Sequence, residues 1–170
     1  MISSLLLGWF GNSPSMAELL ARHWLFGTLL VAGVVFCETG LVVMPFLPGD
    51  SLLFATGALL GLTGASPYTS LMIIGLAAIL GDAANYSIGR SRLGHALLSR
   101  GWVRQNHLEM ARAYFERFGG LTVTMGRFIP VVRTVAPFLA GLSDMKPRRF
   151  LMYNVLGGIA WCASVMLAGY

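Results

Sequence analysis

The stretch GRFIPVVRTVAPFLAGL, residues 126–142, lies inside a long apolar part of the chain, yet it carries Arg127, Arg133, Pro130 and Pro137. An ordinary membrane helix has no use for two permanent cations or two helix breakers. A central Arg costs roughly 2.5–3.5 kcal/mol on insertion scales. An interior Pro removes a backbone donor and clashes with the preceding turn. The flanking sequence decides how this stretch is to be read.

The chain has 170 residues, of which 56% are hydrophobic and 11% charged. Soluble domains carry about 25% charged residues. The mean hydropathy of +0.71 agrees. These values indicate an integral membrane protein forming one compact domain. Spanning backbone must satisfy its own hydrogen bonds, so all-α is the expected class. A β-barrel would alternate apolar and polar residues, and the runs at 25–37 and 71–80 do not. The net charge of +5 sits beside apolar runs, which fits positive-inside topology and gives no reason to expect nucleic acid. Cys37 and Cys162 lie within apolar runs and read as small buried hydrophobes, not as a disulfide. Residues 1–23 have a short apolar patch with no basic region before it. They resemble an interfacial segment more than a cleaved signal. Residues 24–170 form the membrane domain.

Along that domain, 24–44 is an apolar run of spanning length containing Glu38. Next comes PFLPGDSLLFATGALLGLTG, residues 45–64. Pro45, Pro48 and Gly49 break any helix at its start, and Asp50 or Ser51 offers a cap for a new one. Its apolar part, 52–62, is too short to cross a bilayer. Residues 71–89 are a second spanning run, with Asp82, Asn85 and Tyr86 in its later half. From 90 to 117 the chain has Arg90, Arg92, Arg100, Arg104, Arg112 and Arg117 against Glu109 and Glu116. This arginine excess predicts a cytoplasmic loop. Asn106-x-x-Glu109 resembles a capping box opening an amphipathic helix, with Leu108, Ala111, Phe115 and Phe118 near one face. That helix is expected to lie along the membrane surface. After 142 come Lys146, Arg148 and Arg149, then a last apolar run, 150–170.

Basic clusters therefore flank both ends of 120–142. If both are cytoplasmic, the segment enters and leaves on one side as a re-entrant hairpin, and its Pro and Gly residues supply the break. The same argument applies to 45–64, provided that 24–44 runs outward and 71–89 returns inward. Only Arg22 marks the inside end of 24–44. The expected architecture is a helical bundle with two opposed, inverted-repeat-like re-entrant hairpins, 45–64 and 120–142. Gly/Pro-interrupted apolar segments in corresponding positions point to a transporter site.

Glu38, Asp50, Arg127 and Arg133 sit in or beside the broken segments, and Asp82 lies in a nearby run. Together they are too costly to face lipid. One reading is purely structural: the acids neutralise the arginines and hold the hairpins together. The functional reading divides the labour. Arg127 and Arg133 bind a phosphate head group through fork-shaped donors, and the carboxylates of Glu38 and Asp50 pair with them or carry protons. Arg does not deprotonate, so it serves as an anion anchor. Asp82, Asn85 and Tyr86 are read as possible support, either functional or as helix–helix hydrogen bonds. On one continuous helix Arg127 and Arg133 would diverge by roughly 120°; a break at Pro130 lets both turn toward one ligand. Pro45, Pro48, Gly49, Pro130 and Pro137 are the expected hairpin breaks. His23, His95 and His107 read as surface residues. The glycines of GLAAILGDAANYSIGR read as helix-packing positions, since no nucleotide-binding pattern is present.

At these residues the chain resembles the DedA family of bacterial membrane proteins, related to the VTT domain of eukaryotic lipid scramblases. The resemblance rests on ETGLVVMPFLPGD (38–50), GDAANYSIGR (81–90) and GRFIPVVRTVAPFLAGLSDM (126–145). It implies two opposed re-entrant hairpins in a helical bundle of the bacterial plasma (inner) membrane, multi-pass. It also implies proton-linked transport of a polyprenyl phosphate such as undecaprenyl phosphate, or of a related phospholipid. The family's acidic residues fall on Glu38 and Asp50, and its paired arginines on Arg127 and Arg133. Family members continue past Gly169-Tyr170 into another helix, so the resemblance suggests either a shortened chain or a short member.

The function expected is translocation of a lipid phosphate. The alternatives are a small-ion or proton antiporter and a lipid scramblase of broad specificity. A lipid phosphatase needs a nucleophile or metal site, and no histidine lies among the membrane charges, so no enzyme, cofactor or metal is expected. The expected partners are the lipid phosphate, membrane lipids and protons or sodium, with a homo-oligomer left open.

Overall fold

A computed structural model describes residues 23–41, 49–64, 66–101 and 105–170. Apart from His23, the expected interfacial segment 1–23 lies outside them, as do Pro45 and Pro48. Among the described residues the fold is all-helical, as expected. The helices are α1 Trp24–Gly40, α2 Gly49–Thr63, α3 Pro67–Arg90, α4 Arg92–Ser99, α5 Gln105–Phe118, α6 Leu121–Gly126, α7 Pro130–Leu142 and α8 Pro147–Gly169.

Apolar and polar residues are distributed inside out. Phe26, Leu30, Met72, Leu76, Leu156 and Ile159 are exposed. Glu38, Asp82, Asn85, Arg127, Arg133 and Asn154 are buried. Water would reverse this arrangement, whereas a bilayer favours it. α3 and α8, of 24 and 23 residues, are long and apolar enough to cross a bilayer. They run antiparallel, with Gly75 near Cys162 and Gly158 near Ile79. Arg90 at the end of α3 and Lys146, Arg148 and Arg149 at the start of α8 mark one basic end of the bundle.

α1 departs from the expected topology. It was expected to span and to run opposite to α3. Instead Thr28 Oγ1 meets Ser70 Oγ at 2.9 Å, and Thr39 and Gly40 lie against Gly81. The two helices therefore run in the same direction, away from the end of the bundle opposite the basic one. α1 has 17 residues, about 25 Å of helix against a core of about 30 Å. α2 then returns along α8 to the end where α1 began. The interrupted unit is thus α1 with α2, longer than the 45–64 read from the sequence. The sequence signal for direction was a single residue, Arg22, and close helix contacts outweigh so weak a charge bias.

The second interrupted segment consists of α6, Leu121–Gly126, and α7, Pro130–Leu142. Gly120 packs on Tyr153 near the basic end, and Gly126 packs on Val132 and Ala136. The chain turns at Arg127–Ile129, beside Gly157 and Gly158 of α8, and α7 returns until Gly141 meets the backbone of Arg90. Pro130 opens α7, where its missing donor costs nothing. Pro137 lies inside α7, not at a break.

Small residues set the helix spacing. A Cβ on Gly57 or Gly61 would strike the backbone of Met166 or Tyr170, and one on Gly89 the backbone of Phe138. This is the close-approach packing used in lipid, where hydrophobicity alone does not join helices. Of the glycines of the α3 motif, Gly81 and Gly89 occupy such contacts, whereas a Cβ on Gly75 would meet only Cys162 Sγ at 3.9 Å. Three smaller expectations are corrected. Cys37 is exposed and not buried, although both cysteines are free. α5 starts at Gln105, so Asn106 is inside its first turn and not at its cap. α2 starts at Gly49, so Asp50 and Ser51 are likewise first-turn residues, where the Asp50 charge suits the helix dipole.

Candidate functional site

Two charge clusters occupy the middle of the bundle. The first centres on Arg133, in the first turns of α7. Its Nη2 donates to Glu38 Oε1 at the end of α1, and its Nη1 donates to Asp50 Oδ1 at the start of α2 at 2.7 Å. Trp161 of α8 donates its Nε1–H to the same Asp50 oxygen at 3.0 Å, and the guanidinium carbon lies 5.3 Å from its ring centroid. Gly49 makes this possible, because a Cβ there would collide with the Glu38 carboxylate. One guanidinium fork thus spans both interrupted units.

The second cluster centres on Arg127, at the turn between α6 and α7. Its Nη2 donates to Asp82 Oδ2 and to Asn154 Oδ1, both at 2.5 Å. Asn154 is fixed in turn by donating to the Ile79 carbonyl at 3.0 Å. Gly157 and Gly158 leave room for the Arg127 side chain. The sequence reading aimed both arginines at one ligand. The structure places them apart: Arg133 holds two carboxylates, and Arg127 holds one carboxylate and one amide oxygen. The reason is the pair Asp82 and Asn154, which capture Arg127 before it can turn toward α2.

The clusters differ in access. The side chains of Arg127 and Asp82 are 3% and 2% exposed. In the first cluster Arg133 and Glu38 are 7% and 2% exposed, but Asp50 is 46% exposed. Arg127 is sealed, and Arg133 lies behind one accessible carboxylate. Three carboxylates face two guanidiniums, a balance of −1 when all are ionised. Among the described residues, the Nε atoms of both arginines and Oδ1 of Asn85 are buried without a hydrogen-bond partner.

Asn85 and Tyr86 support the frame. Asn85 Nδ2 donates to the carbonyls of Thr39, at 3.0 Å, and Thr134, at 2.8 Å. Thr39 is in the last turn of α1, where backbone carbonyls run out of intrahelical donors, and Thr134 is in α7 next to Arg133. Tyr86 lies toward the basic end, apart from both clusters. It donates to the Met145 carbonyl, accepts from Arg90 Nη1 at 3.2 Å and stacks on Phe150 with centroids 4.2 Å apart. The sequence reading missed Asn154 and Trp161. Their spacing carried a signal: seven residues apart, two helical turns, on one face of the last apolar run.

The same buried residues can be sought in other proteins. Residues 47–170 match the VTT domain. Protein DedA of Escherichia coli (strain K12) is 44% identical over 162 residues, covering 91% of this chain and 73% of that protein. The chain belongs to the DedA family. This DedA-family protein is also 41% identical over 160 residues to an uncharacterized membrane protein of Mycobacterium tuberculosis (strain ATCC 25618 / H37Rv), covering 89% and 69% of the two chains. Inner membrane protein YghB of Escherichia coli (strain K12) is 38% identical over 139 residues, 80% of this chain and 63% of that one. No solved structure matches the DedA-family chain. Membership makes it a membrane protein, in agreement with its apolar exterior and two spanning-length helices.

Proposed function

We propose that this protein carries a lipid phosphate across the membrane, with Arg133 as the anion anchor and protons as the coupling ion. The carrying observation is the Arg133–Asp50 pair, in which a buried guanidinium is screened by one half-exposed carboxylate. A phosphate offers the same bidentate geometry as the carboxylate it displaces. Protonation of Asp50 or Glu38 weakens the hold on Arg133 and lets an incoming head group take their place. Deprotonation returns the carboxylates and expels it. Arg127, sealed by Asp82 and Asn154, positions the turn instead of binding substrate.

We read α1–α2 and α6–α7 as two re-entrant hairpins entering from opposite faces and meeting at Arg133. This inverted arrangement, with each hairpin followed by a spanning helix, suits a site near the bilayer midplane. The lipid tail stays among the apolar outer faces of the helices. The substrate we propose, a polyprenyl phosphate such as undecaprenyl phosphate, follows from the family resemblance. The test is uptake of a labelled polyprenyl phosphate into proteoliposomes under a proton gradient. Arg133→Ala is expected to abolish it; undiminished uptake overturns the assignment. The surplus carboxylate favours one rival, a proton/cation antiporter. Gradient-driven sodium flux with no lipid-phosphate uptake would establish that reading instead.

A further inference from the structure

We propose that a separate pocket at the basic end, between α4, α5 and the end of α7, binds the phosphate-bearing head group of an anionic membrane lipid. The pocket has a volume of about 250 Å³ and is lined by His95, Arg112, Phe115, Leu139, Leu142 and Ser143. Its character is divided. His95, Arg112 and Ser143 form an exposed polar rim. Phe115, Leu139 and Leu142 form an apolar floor, and they pack with buried Leu108, Val135 and Phe138. A soluble anion gains nothing from such a floor, whereas a lipid presents a charge and a hydrocarbon stem together.

The charge needed is available. Among the described residues no carboxylate lies within ion-pair distance of Arg112. The surroundings are net basic: Arg90, whose backbone touches Gly141, lies 3.9 Å from Asp144, and Glu109 and Glu116 share α5 with Arg112, but Lys146, Arg148 and Arg149 are also exposed at the adjoining start of α8. Basic pockets between helices on the positive side of a membrane are suited to anionic head groups. Leu139 follows Arg133 by six residues on α7, about 9 Å along the axis. The pocket is therefore distinct from the central clusters, and its occupancy does not depend on transport.

The test uses the full chain purified from mixed phosphatidylglycerol and phosphatidylcholine, with native mass spectrometry counting the lipids retained. Phosphatidylglycerol is expected to be retained in preference, and Arg112→Gln to weaken that retention about fivefold. Arg117→Gln removes the same charge from the same helix, but Arg117 stacks on Phe118 away from the pocket, at 5.1 Å from the ring centroid. Its retention is expected to match the wild type. Equal loss from both variants would mean diffuse surface attraction and overturn the site. So would unchanged retention in Arg112→Gln, or displacement of the lipid by millimolar inorganic phosphate, which would indicate a soluble-anion site.

Discussion

Arg133 on α7 donates to Asp50 on α2 at 2.7 Å, across 83 residues of sequence, while Glu38 on α1 holds its other terminal nitrogen. A single fork therefore ties the tips of the two interrupted units together. Removing Arg133 leaves Glu38 buried without its cation, whereas Asp50 keeps access to solvent.

Arg133→Ala is expected to cost about 3–5 kcal/mol, because Glu38 is left buried without a partner. Thermal unfolding in detergent measures this. Arg133→Lys keeps the charge and loses the fork, so it should fold yet transport poorly. Transport equal to wild type in Arg133→Lys would rule out bidentate recognition.

The sealed pair behaves differently. Asp82→Ala alone is expected to destabilise by a similar amount, about 3–5 kcal/mol. Replacing both partners by apolar residues of like volume, Asp82→Leu with Arg127→Met, should recover most of that loss. Unfolding temperatures of the single and double variants decide the matter. Recovered stability with retained lipid uptake would mark Arg127 as a positioning residue; recovered stability without uptake would give it a part in binding.

Asp50→Asn removes the half-exposed competitor for Arg133. The expected outcome is stronger retention of lipid phosphate together with uptake that no longer responds to a proton gradient. Comparing uptake with and without a protonophore checks this, and full gradient sensitivity in the variant would exclude Asp50 as a coupling group.

Gly57→Val places side-chain atoms against the Met166 backbone and should force α2 away from α8. Folded protein recovered by size-exclusion chromatography is expected to fall sharply. Gly27→Ala is the control. Among the described residues nothing lies within 4 Å of a Cβ at Gly27, and Ala is the better helix former by about 1 kcal/mol. That variant should be neutral or slightly more stable.

Trp161→Phe keeps the ring beside Arg133 and deletes the donor to Asp50. A loss of about 1.5–3 kcal/mol in thermal unfolding is expected, since the lost bond is to a carboxylate. A loss several times larger would show that the indole holds more than this one bond.

Much of this was legible in the sequence. Runs of apolar residues with few charges dictated helices and a membrane, since lipid leaves the backbone no other way to pair. Pro130, together with Arg127 and the basic residues on both flanks, located the 120–142 interruption, because a charged, proline-broken segment cannot lie against lipid. Glu38, Asp50, Asp82, Arg127 and Arg133 stood out as candidates for the same reason: each is too costly to leave unpaired in an apolar run.

Pairing and direction were decided by the tertiary structure. Charge bias reads helix direction only where arginines are plentiful, and around α1 there was one. Thr28 on Ser70 and Gly40 on Gly81 set that direction through contacts between residues about 40 positions apart. Nor does a sequence say which carboxylate reaches which guanidinium. Asp82 and Asn154 capture Arg127 because α3 and α8 pass it at close range, where glycines give the side chain room. The residue types determined that the buried charges had to be neutralised; the packing of the helices determined by whom, and left Arg133 behind the one accessible carboxylate.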